Sequence, residues 1–226
     1  MTPSLLRFGR SQSPVVIVDD VTGDPERVVA LAAAIAPFPD AVGSHYPGVR
    51  RVLTGSDGEA YAYATTLLEQ VAPFIGGAFD IDGFDWIEAS FSMVTAAPAM
   101  LSSVQRAPHF DSLDAGYIAV LHYLSDLPDA GTAFYRQRKT GIECVGPSNC
   151  NAYVAAAQSD DHALAGYTNA STPAFEQIGM IEGRRDRVVI YRGCLLHSGI
   201  IPANMPLSDD PRRGRLTANL FVQAQR

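Results

Sequence analysis

Apolar residues along this chain fall into two regimes: helical spacing in the first third and short β-rich runs after it. Pro14 precedes Val15-Val16-Ile17-Val18, a β-branched run closed by Asp19-Asp20, which predicts a short strand. Asp24-Pro25-Glu26 then supplies an N-cap, a first-turn proline and an acid at the positive end of a helix dipole. That helix is expected over 25–36, stopped by Pro37. A second helix fits 59–75, with Gly76-Gly77 as its end. Beyond Asp85 the spacing changes: 86–95 alternates, 116–124 is almost continuously apolar, and 132–136, 186–191, 195–198 and 216–223 are further strands. Residues 136–186 carry mixed signals, with a helix around 152–164 and then a segment at 173–181. They read as an insertion between two strands of one sheet system. Helices first and many short strands later predict an α+β protein with a β-sandwich or barrel core.

Composition bounds this picture without selecting an activity. A chain of 226 residues suits a single domain spanning 1–226, with 1–85 mainly helical support and 86–226 the β core. An apolar fraction of 47% against 18% charged residues excludes a disordered chain. Lys and Arg number 17 against 24 Asp and Glu, a net charge of −7, which argues against nucleic acid or an anionic membrane as partner. That balance still leaves room for one or two arginines that bind a small anion. The longest apolar run, 28–36, is too short to cross a bilayer, and nothing before Pro14 has the apolar centre of a secretory signal. Cys144, Cys150 and Cys194 read as free thiols of a reducing cytoplasm, with a Cys144–Cys150 bridge as the alternative. Oligomeric state leaves no signal in the sequence.

Candidate chemistry begins at His109-Phe110-Asp111. On a strand, positions i and i+2 share a face, so both side chains can converge on one ion. Taken alone the triplet is weak, and a surface histidine after a proline is the bland reading. Its context strengthens it. The strand at 186–191 leads through Arg192-Gly193 to Leu195-Leu196-His197-Ser198-Gly199, and Arg213-Gly214-Arg215-Leu216-Thr217 opens the last strand. Two histidines and one carboxylate occupy one face of an octahedral Fe(II) and leave three positions open. Three positions suit a bidentate 2-oxo acid plus dioxygen, and the far carboxylate of the oxo acid needs a fixed cation such as the forked donors of arginine.

This order of elements resembles the iron(II)- and 2-oxoglutarate-dependent oxygenase superfamily, in particular its prolyl-hydroxylase-like branch. The matching segments are His109-Phe110-Asp111, the Tyr-Leu strand Val120-Leu121-His122-Tyr123-Leu124, Gly131-Thr132-Ala133-Phe134, His197, and Gly214-Arg215-Leu216-Thr217. They span about 86–223, and the 15–20 strand with its following helix fits that family's N-terminal support. The resemblance implies a double-stranded β-helix, jelly-roll or cupin-like, with helices packed outside. It implies His109, Asp111 and His197 as iron ligands and Arg215 as partner of the 2-oxoglutarate C5 carboxylate, with Thr217 beside it and Tyr123 donating its hydroxyl. Two departures stand out: Ala130-Gly131 where the family often has Gly-Gly, and a longer stretch between His197 and Arg215. That stretch leaves Arg212 and Arg213 as rivals of Arg215; the glycine before Arg215 and the apolar strand after it favour Arg215.

The expected activity is that of an Fe(II)- and 2-oxoglutarate-dependent dioxygenase using O2. It would hydroxylate a C–H of a peptide, amino acid or small metabolite and release succinate and CO2. Asp111 favours hydroxylation over halogenation, because related halogenases carry a small residue there. The alternatives are a non-catalytic β-helix module that binds metal and oxo acid, and a cupin-like metal enzyme that uses no 2-oxoglutarate. Bland readings stand beside several residues. Tyr123 also reads as a core tyrosine, His122 as a satisfied core histidine, and His162 and the Arg136, Arg138, Lys139 group as solvated. The segment His45-Tyr46-Pro47-Gly48-Val49-Arg50-Arg51 reads as an exposed turn or as one wall of a substrate entrance. The 136–186 insertion is the candidate lid.

Overall fold

In a computed structural model, described over residues 1–41, 46–159 and 164–225, the chain forms two facing antiparallel sheets with helices outside them. In chain order the elements are β1 (Thr2–Phe8), β2 (Ser13–Asp19), α1 (Pro25–Ala34), β3 (Gly48–Val52), α2 (Glu59–Phe79), β4 (Phe84–Val94) and α3 (Ser103–Arg106). They continue with β5 (Tyr117–Tyr123), β6 (Gly131–Gln137), α4 (Cys150–Ser159), β7 (Phe175–Glu182), β8 (Arg187–Arg192), β9 (His197–Ile200) and β10 (Leu216–Ala224). The larger sheet runs β1-β2-β8-β5-β10-β4-β3 and the smaller β7-β6-β9.

Period-2 alternation divides the core. Val188 and Ile190 of β8, Ile118 and Val120 of β5, and the even-numbered apolar positions of β10 face α1 and α2. Their neighbours Val189, Tyr191, Ala119, Leu121 and Tyr123 face Phe134 and Ile181 of the smaller sheet. A third cluster, on the outer side of the smaller sheet, takes Tyr153 of α4. No described helix is long and apolar enough to cross a membrane.

Helix α1 starts as its sequence predicts, with the Asp24 carboxylate accepting from Arg27 N at 3.1 Å, and ends two residues early. Helix α2 does not stop at Gly76-Gly77; it runs on to Phe79, and Asp80 takes the left-handed cap at φ 55°. The extra turn buries the Phe79 side chain and brings its carbonyl to Arg192 at 3.2 Å, which outweighs the entropic cost of two glycines.

Three expectations are corrected. The first 85 residues are more than helical support, since beside α1 and α2 they give β1, β2 and β3 to the larger sheet. The 136–186 stretch is not wholly an insertion, because β7 pairs with β6 along its full length and completes the smaller sheet. Arg136 is not solvated: its guanidinium lies against Glu143 and Glu176, and Glu143 also accepts from Arg10 N, Ser11 N and the Ser11 hydroxyl. Those hydrogen bonds outweigh burial, which alone would raise it, and hold the Glu143 carboxyl down to about 2.

Candidate metal centre

His109 lies between α3 and β5, in a segment fixed by three partners, His197, Tyr153 and Gly193. Its N–H donates to the His197 carbonyl and its carbonyl accepts from His197 N–H, both at 2.9 Å. The Pro108 carbonyl accepts from the Tyr153 hydroxyl at 3.0 Å, Phe110 packs edge-on against the same ring, and Asp111 N–H donates to the Gly193 carbonyl at 2.7 Å. His197 begins β9 and shares the inner face with Phe134, its partner on β6. The three side chains therefore converge from two chain segments, the second delivered by the β8–β9 turn.

Their ligand atoms lie within 4.8 Å of one another. His109 Nε2 is 3.8 Å from one Asp111 oxygen and His197 Nε2 is 3.7 Å from the other. The Asp111 side chain is 17% exposed, His197 6% and His109 42%, so the cluster opens on the His109 side. Burial acts on both enclosed groups against charge, pushing the Asp111 carboxyl up to about 6 and the His197 imidazole down to about 4. His197 Nδ1–H donates to the Leu195 carbonyl at 2.8 Å, which leaves the Nε2 lone pair facing Asp111 and His109. Two imidazole lone pairs and a carboxylate held without a mutual hydrogen bond form a donor set suited to one divalent cation. Among the described residues this is the one group of three or more such side chains within ligand reach.

The same cavity, about 120 Å3, is also lined by Arg215, Thr217, Thr132 and Tyr46. Arg215 is buried, its Cζ 5.7 Å above the Tyr123 ring, and it donates to the Gly131 carbonyl at 3.0 Å. Its Nε has no hydrogen-bond partner and no carboxylate pairs with it among the described residues. A buried guanidinium without a counter-ion is costly, so this end of the cavity is built for an anion. Arg212 and Arg213 are exposed on the preceding loop. Tyr123 is buried and shares a 2.6 Å hydrogen bond with Thr132; Thr217 is buried with its hydroxyl 3.5 Å from the Ser92 carbonyl.

Sequence reasoning missed Asn219, Phe221 and Tyr191, which share this wall; it named Tyr46 only within a possible substrate entrance and Thr132 only as part of a matching segment. For Thr217, Asn219 and Phe221 a signal existed: they are the inward alternation of β10. His122 points to the helices, its Nδ1 accepting from the Tyr63 hydroxyl at 2.6 Å and its Nε2–H donating to Asp186 at 3.1 Å. His45 and His162 lie outside the described residues. The cysteine expectation is corrected: Cys144 and Cys194 form a disulfide and Cys150 is free. The pairing follows from a bridge that sets Cys144 opposite Leu195, and it removes the thiol argument for a reducing compartment.

Solved structures share this fold. The non-heme α-ketoglutarate-dependent epimerase SnoN from nogalamycin biosynthesis superposes with a TM-score of 0.60 at 12% identity, over 95% of this chain and 80% of its own. HygX from Streptomyces hygroscopicus, with nickel and 2-oxoglutarate bound, gives 0.56 at 13% identity, over 95% and 84%. A Pseudomonas putida prolyl-4-hydroxylase gives 0.50 at 12% identity, over 96% and 95%. No curated protein matches the sequence. Over residues 1–222 the sequence matches a family described only as a family of unknown function, and the chain is a member of that family, DUF6445, carrying the fold of the 2-oxoglutarate-dependent oxygenases.

Proposed function

We propose that this protein is an Fe(II)- and 2-oxoglutarate-dependent dioxygenase of the prolyl-hydroxylase-like branch. It would form one oxygenase unit on a double-stranded β-helix and hydroxylate a C–H of a small molecule or peptide. The observation that carries the reading is the pairing, in one cavity, of the His109–Asp111–His197 donor set with a buried Arg215 that lacks a carboxylate partner. His109, Asp111 and His197 would hold iron on one face. Arg215, supported by Tyr123, Thr132 and Thr217, would hold the far carboxylate of the oxo acid. With both bound, oxidative decarboxylation by O2 supplies the oxidant for an unactivated C–H and releases succinate and CO2.

The residues of the chain contribute position and exclusion. Hydrogen bonds from Asp111 N–H to Gly193 and from His197 Nδ1–H to Leu195 fix two ligands before any ion arrives. Phe134 and Tyr191 flank His197 and keep bulk water from its side of the site. Anaerobic loading with Fe(II), then admission of O2 and measurement of succinate formed from 2-oxoglutarate, tests the activity. Succinate should form in the wild type and not in His109→Ala; equal succinate in both overturns the ligand set. Binding of both groups without succinate across substrates would favour the non-catalytic module, and turnover without 2-oxoglutarate the cupin-like enzyme.

A further inference from the structure

Arg50 is left unexplained by the iron and oxo-acid sites. It belongs to Tyr46-Pro47-Gly48-Val49-Arg50, the segment with two readings in the sequence. The register resolves where it points. Arg50 lies opposite Ser92, and Ser92 opposite Thr217, so all three share the face that lines the catalytic cavity. Glu88 lies opposite Phe221, another cavity residue, on the same face. A bulge in the β4–β10 ladder lies beside Glu88, between Phe221 and Val222, where such irregularities re-aim side chains.

Arg50 Nε donates to the buried Ser90 hydroxyl at 3.0 Å, and its terminal nitrogen pairs with Glu88. The two side chains are 24% and 31% exposed, neither sealed in the core nor free in solvent. Phe221 stacks on Tyr117 at 5.3 Å, and Tyr117 packs where a Cβ on Gly193 would lie 2.7 Å from its ring and 3.2 Å from Asp111. Phe221, opposite Glu88 in the ladder, therefore stacks on a ring that packs beside Gly193, whose carbonyl holds Asp111 N–H. Arg215 thus lines the cavity itself, and Arg50 stands beyond that lining, on the β3–β4 flank of the same sheet face.

We infer that Arg50 and Glu88 are specificity-determining residues that read a zwitterionic α-amino-acid head group, Arg50 taking its carboxylate and Glu88 its ammonium. This rests on the oxygenase reading above. An ion pair already neutral overall gains nothing from an isolated anion, which would displace Glu88 and strand it. A ligand carrying both charges exchanges one internal pair for two external ones and leaves neither side chain unpartnered. Ser90 keeps the guanidinium oriented during that exchange.

The test uses the Fe(II)-loaded protein with 2-oxoglutarate and the twenty free amino acids, each beside its N-acetylated and its C-amidated form. Succinate formation above the level without a third compound is the readout. Stimulation should be confined to compounds with both charges free, and capping either end should raise KM by about tenfold or more while kcat changes far less. Arg50→Gln should erase the distinction between acid and amide, and Glu88→Gln that between free and acetylated amine. Arg50→Lys, which keeps the charge without the fork, should restore part of the first. No stimulation by any free amino acid, equal stimulation by capped forms, or variants that retain both distinctions would overturn the inference. Calorimetric titration of 2-oxoglutarate into the Ni(II)-loaded protein separates the two levels. Absence of that binding overturns the oxygenase reading, whereas binding without zwitterion dependence overturns this inference alone.

Discussion

His109 and His197 exchange both main-chain hydrogen bonds, each N–H donating to the other's carbonyl at 2.9 Å, with ring centroids 4.3 Å apart. Two donors far apart in sequence are thus set opposite each other by an antiparallel bridge, and their spacing is a property of the backbone register. Removal of either ring should leave that bridge intact. His109→Ala, at the open side, is expected to abolish Ni(II) binding measured by calorimetry while moving the thermal midpoint little. His197→Ala should abolish it too and also lower stability, because it empties a buried site beside Phe134 and Tyr191. Wild-type Ni(II) affinity in either variant would refute the ligand assignment.

Gly193 is a second point of leverage. Its carbonyl receives Asp111 N–H at 2.7 Å, and a Cβ there would lie 2.7 Å from the Tyr117 ring and 3.2 Å from Asp111 Cβ. Gly193→Ala should displace the carboxylate without touching a ligand and lower metal affinity by about 10–100-fold. Unchanged affinity would mean that Tyr117 yields and Asp111 does not depend on the turn.

Much of this was legible in the residues. The inward alternation of β5, β8 and β10 follows from period 2, and His109-Phe110-Asp111 with a later histidine carried the donor set. What escaped was set by pairing across long separations. β7 was obscured because exposed Met180 and a register irregularity at Phe134/Tyr135 interrupt its alternation. β1 carries six exposed residues in a row and has no core face to betray it. The Arg50–Glu88 pair depends on β3 lying beside β4, which no local pattern announces.

The disulfide sits where it bears on the metal. Cys194 lies between Gly193, whose carbonyl holds Asp111, and Leu195, whose carbonyl holds the His197 ring, and its own carbonyl accepts from Val145 N at 2.8 Å. Reduction by a dithiol, which takes up the disulfide's bond as its own and leaves two thiols, should loosen this segment and weaken Ni(II) binding by about tenfold. Reoxidation should restore it, and Cys150→Ser should respond like wild type. Equal affinity of oxidised and reduced protein would sink the coupling; thiol titration reports which form is present.

Arg215 and Arg213 separate by burial. Arg215 faces the cavity with an unpartnered Nε, whereas Arg213 is exposed on the loop before it. Arg215→Ala is expected to raise KM for 2-oxoglutarate by about 100-fold or more, in keeping with a lost charge-assisted fork. Arg213→Ala should change it less than about twofold. The reverse order would move the anion site to the loop.

Tyr63, His122 and Asp186 form a chain in which the Tyr63 hydroxyl donates to His122 Nδ1 and Nε2–H donates to Asp186. Burial lowers the His122 imidazole, an effect only partly offset by Asp186. Burial would raise the Asp186 carboxyl, but hydrogen bonds from His122, Thr22 and Gly23 hold it down to about 2. Unfolded, these groups titrate near ~6.5 and ~3.9. As pH falls below ~6.5 the unfolded chain takes a proton on His122 that the folded one refuses, and below ~4 the same happens at Asp186. Both contributions are therefore complete at neutral pH and are lost on acidification, histidine first. The urea midpoint of the wild type should decline from pH 7 to pH 5. His122→Gln, less stable at pH 7 because the buried chain loses its geometry, should decline much less over that interval, since it has no imidazole there to protonate. Parallel declines in the two proteins would show that His122 does not carry the acid sensitivity.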